Sequence, residues 1–316
     1  MIALGGNALL ARGEKPDAGI QLTHVRIAAQ AIAPLAANHD LLICHGNGPQ
    51  VGMLALESET DRSLTRPYPL DDLVAQTQGM IGYWLAQALR NAGVRKPVVG
   101  LVTQTLVDSA DPAFAVPTKF VGPGYPRDRA QELADEHGWT IAADADQWRR
   151  VVASPEPRHI IEQHSITELL NTGAVVIAGG GGGAPVTEDT TGALTGVEAV
   201  VDKDYVAALL GIAVGAHRLL VLTDVAGVML DYGTPQAKQL TEIDLHELGT
   251  MQFPSGSMGP KIEACRRFVA ATGQPATIGA LDATEDLFDG SAGTTITPTR
   301  HSRSPQPAEG TRHHYY

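Results

Sequence analysis

The chain has 316 residues and a mass of 33.2 kDa, enough for two domains or one large α/β unit whose core needs neither disulfides nor a structural metal. Its 23 basic and 35 acidic residues give a net charge of −12 with no block of like charges, which argues against a nucleic acid or an anionic membrane as the main ligand, since both require a basic field. With 43% hydrophobic and 18% charged residues, the chain is not disordered throughout.

Taken in chain order, the hydrophobic pattern predicts a strand over 2–4, a helix over 24–37, a strand over 41–44, a helix over 70–91 and a strand over 98–103. A helix over 165–171, a strand over 174–178, a helix over 202–214 and a strand over 218–223 follow. The series closes with a helix over 259–272 and strands over 276–278 and 294–296. Strands alternating with helices point to an α/β protein with a largely parallel sheet. Residues 108–157 carry six prolines and read as an inserted lobe or lid without long regular elements. The stretch from 299 onward has no apolar periodicity and is expected to be a disordered tail.

Cys44 and Cys265 form no Cys-x-x-Cys pattern and are expected as two free thiols in a reducing compartment. No basic leader precedes the first apolar residues and no apolar run reaches about 18 residues, so a soluble, cytoplasmic protein is expected.

Three predicted strands run straight into glycine turns: Gly5-Gly6-Asn7, Gly46-Asn47-Gly48-Pro49 and the five-glycine run 179–183. Any one of them is accounted for by a tight bend alone. In a parallel sheet, however, the carboxyl ends of the strands share an edge, and three such turns there suit a phosphate or carboxylate site built from backbone N–H groups. The Walker A pattern is absent, and Pro185 follows the glycine run too closely for a dinucleotide-binding helix. No zinc-type histidine spacing and no Gly-x-Ser-x-Gly elbow occurs.

Lysine usage is the sharpest signal, since only six of the 23 basic residues are lysines. Lys119 falls in the insert. Lys203 and Lys261 fall in the first turns of predicted helices, where a cation opposes the helix dipole. For Lys203 the flanking Asp202 and Asp204 could offset that cost. For Lys261 no acidic residue is adjacent before Glu263, so an external anion is the more natural partner.

As a set, certain blocks resemble the carbamate kinases of the amino-acid kinase superfamily. They are Gly5-Gly6-Asn7-Ala8, His45-Gly46-Asn47-Gly48-Pro49-Gln50-Val51-Gly52, Gln78-Gly79-Met80-Ile81-Gly82-Tyr83-Trp84, Pro117-Thr118-Lys119, the run 196–204 through Asp202-Lys203-Asp204, and the run 256–264 through Gly259-Pro260-Lys261. The resemblance covers roughly 2–297 in the family's order. It implies an open three-layer α/β/α sandwich with a largely parallel central sheet and a protruding insert subdomain at about 108–157. A carbamate or carbamoyl-phosphate lobe would span about 1–173 and a nucleotide lobe about 174–298.

The activity it implies is a homodimer's reversible phosphoryl transfer, ATP + carbamate = ADP + carbamoyl phosphate, with Mg²⁺, running toward ATP in arginine catabolism. By position, Lys119, Lys203 and Lys261 are similar to the family's phosphate-handling lysines and Asp204 to the carboxylate that orients them, with Asn7 beside them. Gly5, Gly6, Gly46, Asn47, Gly48, Gly180 and Gly181 correspond to the substrate cradle, and Asp224, Val225, Tyr232 and Met258 to nucleotide contacts. The insert departs from the family's pattern, with Phe120 where a proline usually follows the lysine and Asp146 where an arginine is usual. Two alternatives stand beside this reading: a related kinase for another small carboxylate, and a non-catalytic nucleotide or carboxylate sensor on the same fold.

Overall fold

The computed structural model describes residues 1–299 except 12, 232, 235, 252 and 254–257. The first half runs β1 (Ile2–Leu4), α1 (Ala18–Ala36), β2 (Leu42–His45), α2 (Gly48–Thr60), α3 (Leu70–Asn91), β3 (Val98–Gly100) and β4 (Gln104–Leu106). The insert follows as β5 (Lys119–Tyr125), α4 (Arg127–His137), β6 (Thr140–Asp144) and β7 (Gln147–Val152). Next come β8 (His159–Ile160), α5 (Gln163–Asn171), β9 (Val175–Ile177), β10 (Ala184–Glu188), β11 (Leu194–Gly196), α6 (Lys203–Ala213) and β12 (Leu219–Thr223). The last stretch holds β13 (Met229–Leu230), β14 (Lys238–Gln239), β15 (Glu242–Asp244), α7 (Leu245–Thr250), α8 (Met258–Thr272), β16 (Ala276–Ala280), α9 (Thr284–Asp289) and β17 (Thr294–Thr297).

Eight strands form one sheet in the order β15-β17-β16-β12-β1-β2-β9-β3, parallel throughout except where β17 meets β16. Side chains alternate across it, as the two-residue period requires. Ala3, Cys44, Val176, Val221 and Ile278 point to one face, where α5, α6, α7 and α8 cover them with Ile166, Val206, Leu210, Leu248 and Phe268. Ile2, Leu4, Ile43, Ile177 and Leu222 point to the other, against Val25, Ile32, Ile81, Leu85 and Leu287 from α1, α3 and α9. Strands buried on both faces read as continuous apolar runs, which is why the short central ones were visible in the sequence. The result is the expected α/β/α sandwich.

Several local expectations need correction. The insert is regular: β5, β7 and β6 form an antiparallel three-stranded sheet, and α4 packs on it through Ala130, Leu133 and Ala134. Asp146 occupies the exposed two-residue turn between β6 and β7, where Ala145 takes a φ of 55°. The Gly46–Pro49 turn opens a helix, α2, because proline in the first turn forgoes an N–H that would be unpaired there in any case. Helix α1 starts at Ala18 rather than at 24, and β3 stops at Gly100, after which the chain turns to a second, four-stranded sheet of order β11-β10-β4-β8. The predicted tail beyond 299 lies outside the described residues.

Candidate active site

The parallel strands deliver their glycine turns to one edge, as the topology demands. Gly46 N donates to Leu4 O at 3.0 Å and Gly5 N to Leu222 O at 2.9 Å, so the turns after β1 and β2 and the end of β12 are stitched together. A Cβ at position 46 would stand 2.9 Å from Gly6 N, so only glycine lets these two turns touch. Around them opens a cleft of about 260 Å³. Its wall is Gly5, Gly6 and Asn7, then Gly46 to Pro49, Gly181, Val200, Val201, Thr223 and Asp224, with Phe120 and the three lysines Lys119, Lys203 and Lys261. A larger cavity of about 790 Å³ lies at the opposite sheet edge, beside Ile2, Leu42 and Leu220, and none of its lining residues is a lysine.

Two adjacent carboxylates organise the lysines. Asp202 caps α6 by accepting from Asp204 N at 2.9 Å, which fixes the first turn and sets Lys203 and Asp204 at its start. Asp204 then takes both core lysines, with Lys203 Nζ at 2.5 Å from Oδ1 and Lys261 Nζ at 3.0 Å from Oδ2. Helix α8 packs closely on α6, Phe268 lying against Gly211, and this brings the first turn of α8 to the first turn of α6. Lys119, the first residue of β5, places its Nζ 2.5 Å from Asp202 Oδ2. Asp202 and Asp204 stand outside the cleft lining while the lysines form part of it, so the carboxylates hold the ammonium groups from behind.

Burial opposes the charge on Lys203 and on Asp204, yet their pairing outweighs it. Burial works against the carboxylate of Asp204, but Lys203 and Lys261 outweigh it and hold the group well below the usual carboxylate range. Burial likewise opposes the charge on Lys203, and the neighbouring Asp204 carries its pKa above the ordinary lysine value. His45 behaves differently: burial lowers it to about 4, so near neutral pH it is an uncharged ring whose Nδ1–H donates to the Gly46 carbonyl at 3.0 Å. It is a structural support for the turn.

The structure brings most of the expected site residues together. Asn7 Nδ2 donates to Asp224 Oδ2 at 2.7 Å, tying the turn after β1 to the loop after β12. Asn47 Nδ2 donates to Thr77 Oγ1 at 2.8 Å, linking the start of α2 to α3. Gly181 lines the cleft, whereas Gly180 lies behind it against the His45 ring. Val225 is half-buried beside Asp224, and Met258 opens α8 packed against the apolar core; neither is part of the cleft wall. Tyr232 lies outside the described residues. The external anion expected for Lys261 is replaced, as its immediate partner, by Asp204, which is 57 positions away and invisible to local reading. Glu263 turns instead to Arg266 and Arg267. Thr223, Val200, Val201 and Phe120 complete the wall without having been singled out as ligand contacts; only their position at element ends hinted at it.

Glycine-turn donors and clustered lysines at the carboxyl edge of a parallel sheet define a phosphate-handling enzyme of the amino acid kinase class. The chain belongs to this family: the amino acid kinase family profile matches residues 1–280. Among its relatives, the carbamate kinase of Rhizobium meliloti (strain 1021) is 46% identical over 320 residues, covering 99% of this chain and 98% of that protein. The structure of carbamate kinase from Giardia lamblia bound to citric acid superposes with a TM-score of 0.89 at 37% identity, covering 94% and 97% of the two chains. The same organism's carbamate kinase bound to AMP-PNP gives 0.85 at 38% identity, covering 94% and 98%.

Proposed function

We propose that this protein catalyses reversible phosphoryl transfer between ATP and carbamate, and that Lys119, Lys203 and Lys261 are its phosphate-handling residues. The observation that carries the reading is the meeting of three ammonium groups from β5, α6 and α8 in one cleft beside the glycine turns. A carboxylate oxygen of carbamate is already anionic, so no general base is required to make the nucleophile. The obstacle is repulsion between that anion and the γ-phosphate, and it is met by positive charge and N–H donors placed around the transferring group. In the direction of ATP synthesis, a β-phosphate oxygen of ADP attacks the phosphorus of carbamoyl phosphate, the phosphorus–oxygen bond to the carbonyl carbon breaks, and carbamate leaves with that electron pair. Holding donor and acceptor in line supplies much of the rest.

Among the described residues no cluster of three or more His, Cys, Asp or Glu could hold a metal ion. Mg²⁺ would then arrive on the nucleotide's phosphates, and Asp224, which accepts hydrogen bonds from Asn7 and Thr223 at the cleft wall, is the carboxylate that would meet it. When bound, the ion screens charge on the β- and γ-phosphates. The homodimer of the same reading is supported by exposed Tyr83 on α3 and Val102 just past the edge strand β3, and light scattering tests it. No helix among the described residues is long and apolar enough to cross a membrane, and the cytoplasmic setting belongs to this proposal.

The test is a coupled assay of ATP formation from carbamoyl phosphate and ADP with Mg²⁺, run beside acetyl phosphate. Turnover with carbamoyl phosphate far exceeding that with acetyl phosphate is expected. Preference for acetyl phosphate would move the protein to the related-kinase alternative, and no turnover with either would reject this reading and favour the sensor.

A further inference from the structure

Asp204 accounts for two of the three cleft lysines, and the third has a different partner. Lys119 belongs to the insert, which docks on α2 through Trp139 and Arg150, both donating to Glu59 Oε1 at 3.0 Å. Its Nζ meets Asp202, whose side chain is 12% exposed against 30% for the lysine. The two ends of this pair are unequal in freedom. Asp202 is pinned, because its other oxygen caps α6, while Lys119 ends a flexible four-carbon stem.

We propose that Asp202 is a positioning residue for phosphoryl transfer: its fixed carboxylate draws the insert's Lys119 to the mouth of the cleft, beside the ammonium groups held by Asp204. The inference rests on the reading of the cleft as a phosphoryl-transfer site. An ammonium has three N–H donors, so Lys119 can keep Asp202 as one partner and offer the others to a phosphoryl oxygen. An ordinary exposed pair contributes little because two long side chains must be ordered. Here the helix cap has already ordered one of them. Without the tether, Lys119 spreads over solvent rotamers and the site operates with two lysines.

Asp202→Asn separates this role from capping, since asparagine caps a helix as well as aspartate does. The expected result is a kcat for ATP formation lowered about fivefold with an unchanged melting temperature, the size a partly exposed ion pair commands. In the Lys119→Ala background the same change should cost clearly less than about fivefold, because Asp202 acts mainly through that lysine, with only its longer-range charge on Lys203 left to lose. A kcat within about twofold of the parent, or losses that multiply in the double variant, would overturn the proposal. Hydrogen exchange on the unliganded full chain gives a readout apart from turnover: amides of β5 and β7 should exchange faster in Asp202→Asn, and equal protection would also sink the tether. If the parent enzyme turns over neither acyl phosphate, the functional reading fails while the exchange comparison still decides whether the tether exists.

Discussion

At the scale of single residues, the site depends on one buried carboxylate serving two cations. Asp204 is 3% exposed and pairs with Lys203 and Lys261, so its removal leaves two ammonium groups in a poorly hydrated place without a paired carboxylate. Asp204→Asn, nearly the same shape, should lower stability by about 3 kcal/mol and reduce kcat at least about tenfold, as loss of a buried partner does. Thermal melts and the coupled assay check both, and a variant that melts and turns over like the parent would show that the lysines need no common anchor. This arrangement was half legible. The scarcity of lysine and its placement in first helical turns marked Lys203 and Lys261 from sequence, and Asp202-Lys203-Asp204 displayed its own acidic partners. That Lys261 shares Asp204 was not legible, because the pairing follows from how α8 crosses α6, and no spacing along the chain records a crossing.

At the scale of elements, the insert shows what hydrophobic patterning misses. Helix α4 is strongly polar and turns only Ala130, Leu133 and Ala134 inward, so its apolar stripe is too thin to stand out. Its ends nevertheless carry Pro126 before the first turn and Gly138 in a left-handed conformation after the last. Strand β5 interrupts its alternation with Gly122, Pro123 and Gly124, and the pairing with β7 shifts register there. Those glycines have a packing reason. Gly52 lies mid-way along α2, where glycine costs helix stability, and a Cβ there would fall 1.9 Å from the Gly122 Cα. The helix and the strand therefore meet backbone to backbone, three residues from Lys119. Gly52→Ala should gain helix propensity yet lose about 1–3 kcal/mol overall, because the insert must lift off α2. The same lift carries Lys119 away from the cleft, so KM for carbamoyl phosphate should rise as stability falls. A Gly52→Ala variant more stable than the parent, with unchanged KM, would mean that the insert is not seated on α2 in solution.

At the scale of the whole molecule, stability depends on titratable groups that the central sheet keeps neutral. His45 and Cys44 are neighbours at the end of β2 and so point to opposite faces of the sheet. Burial lowers the imidazole to about 4 and raises the Cys44 thiol to about 12, and burial raises Cys265 on α8 as well. For His45 the unfolded chain binds a proton from about pH 6.5 downward while the folded chain declines it until about pH 4, so stability is full above the first value and falls as pH drops through that window. For Cys44 the unfolded thiol ionises from about pH 9 and the folded one only near pH 12, so stability falls as pH rises between them. Between about pH 6.5 and 9 neither of these two groups changes stability, but the buried Met1 amine, lowered by burial from an ordinary value near 8 to about 5, adds a loss of the same sign as His45 once pH drops below about 8. His45 should contribute a slope near one proton, about 1.4 kcal/mol per pH unit, with a total on the order of 3 kcal/mol, on top of the Met1 amine's own loss. Asp204, whose lysines hold it below the ordinary carboxylate range, adds its own loss only at more acidic pH, so the two contributions separate along the axis. Urea melts of the parent and of His45→Gln across pH 4 to 8 measure this directly, the variant being expected to lose about one proton of slope between about pH 6.5 and 4 while keeping the part due to the Met1 amine, whatever its absolute stability. An unchanged slope would place the responsible proton elsewhere. It would also mean that the turn between β2 and α2, on which the cleft is built, tolerates a charged ring.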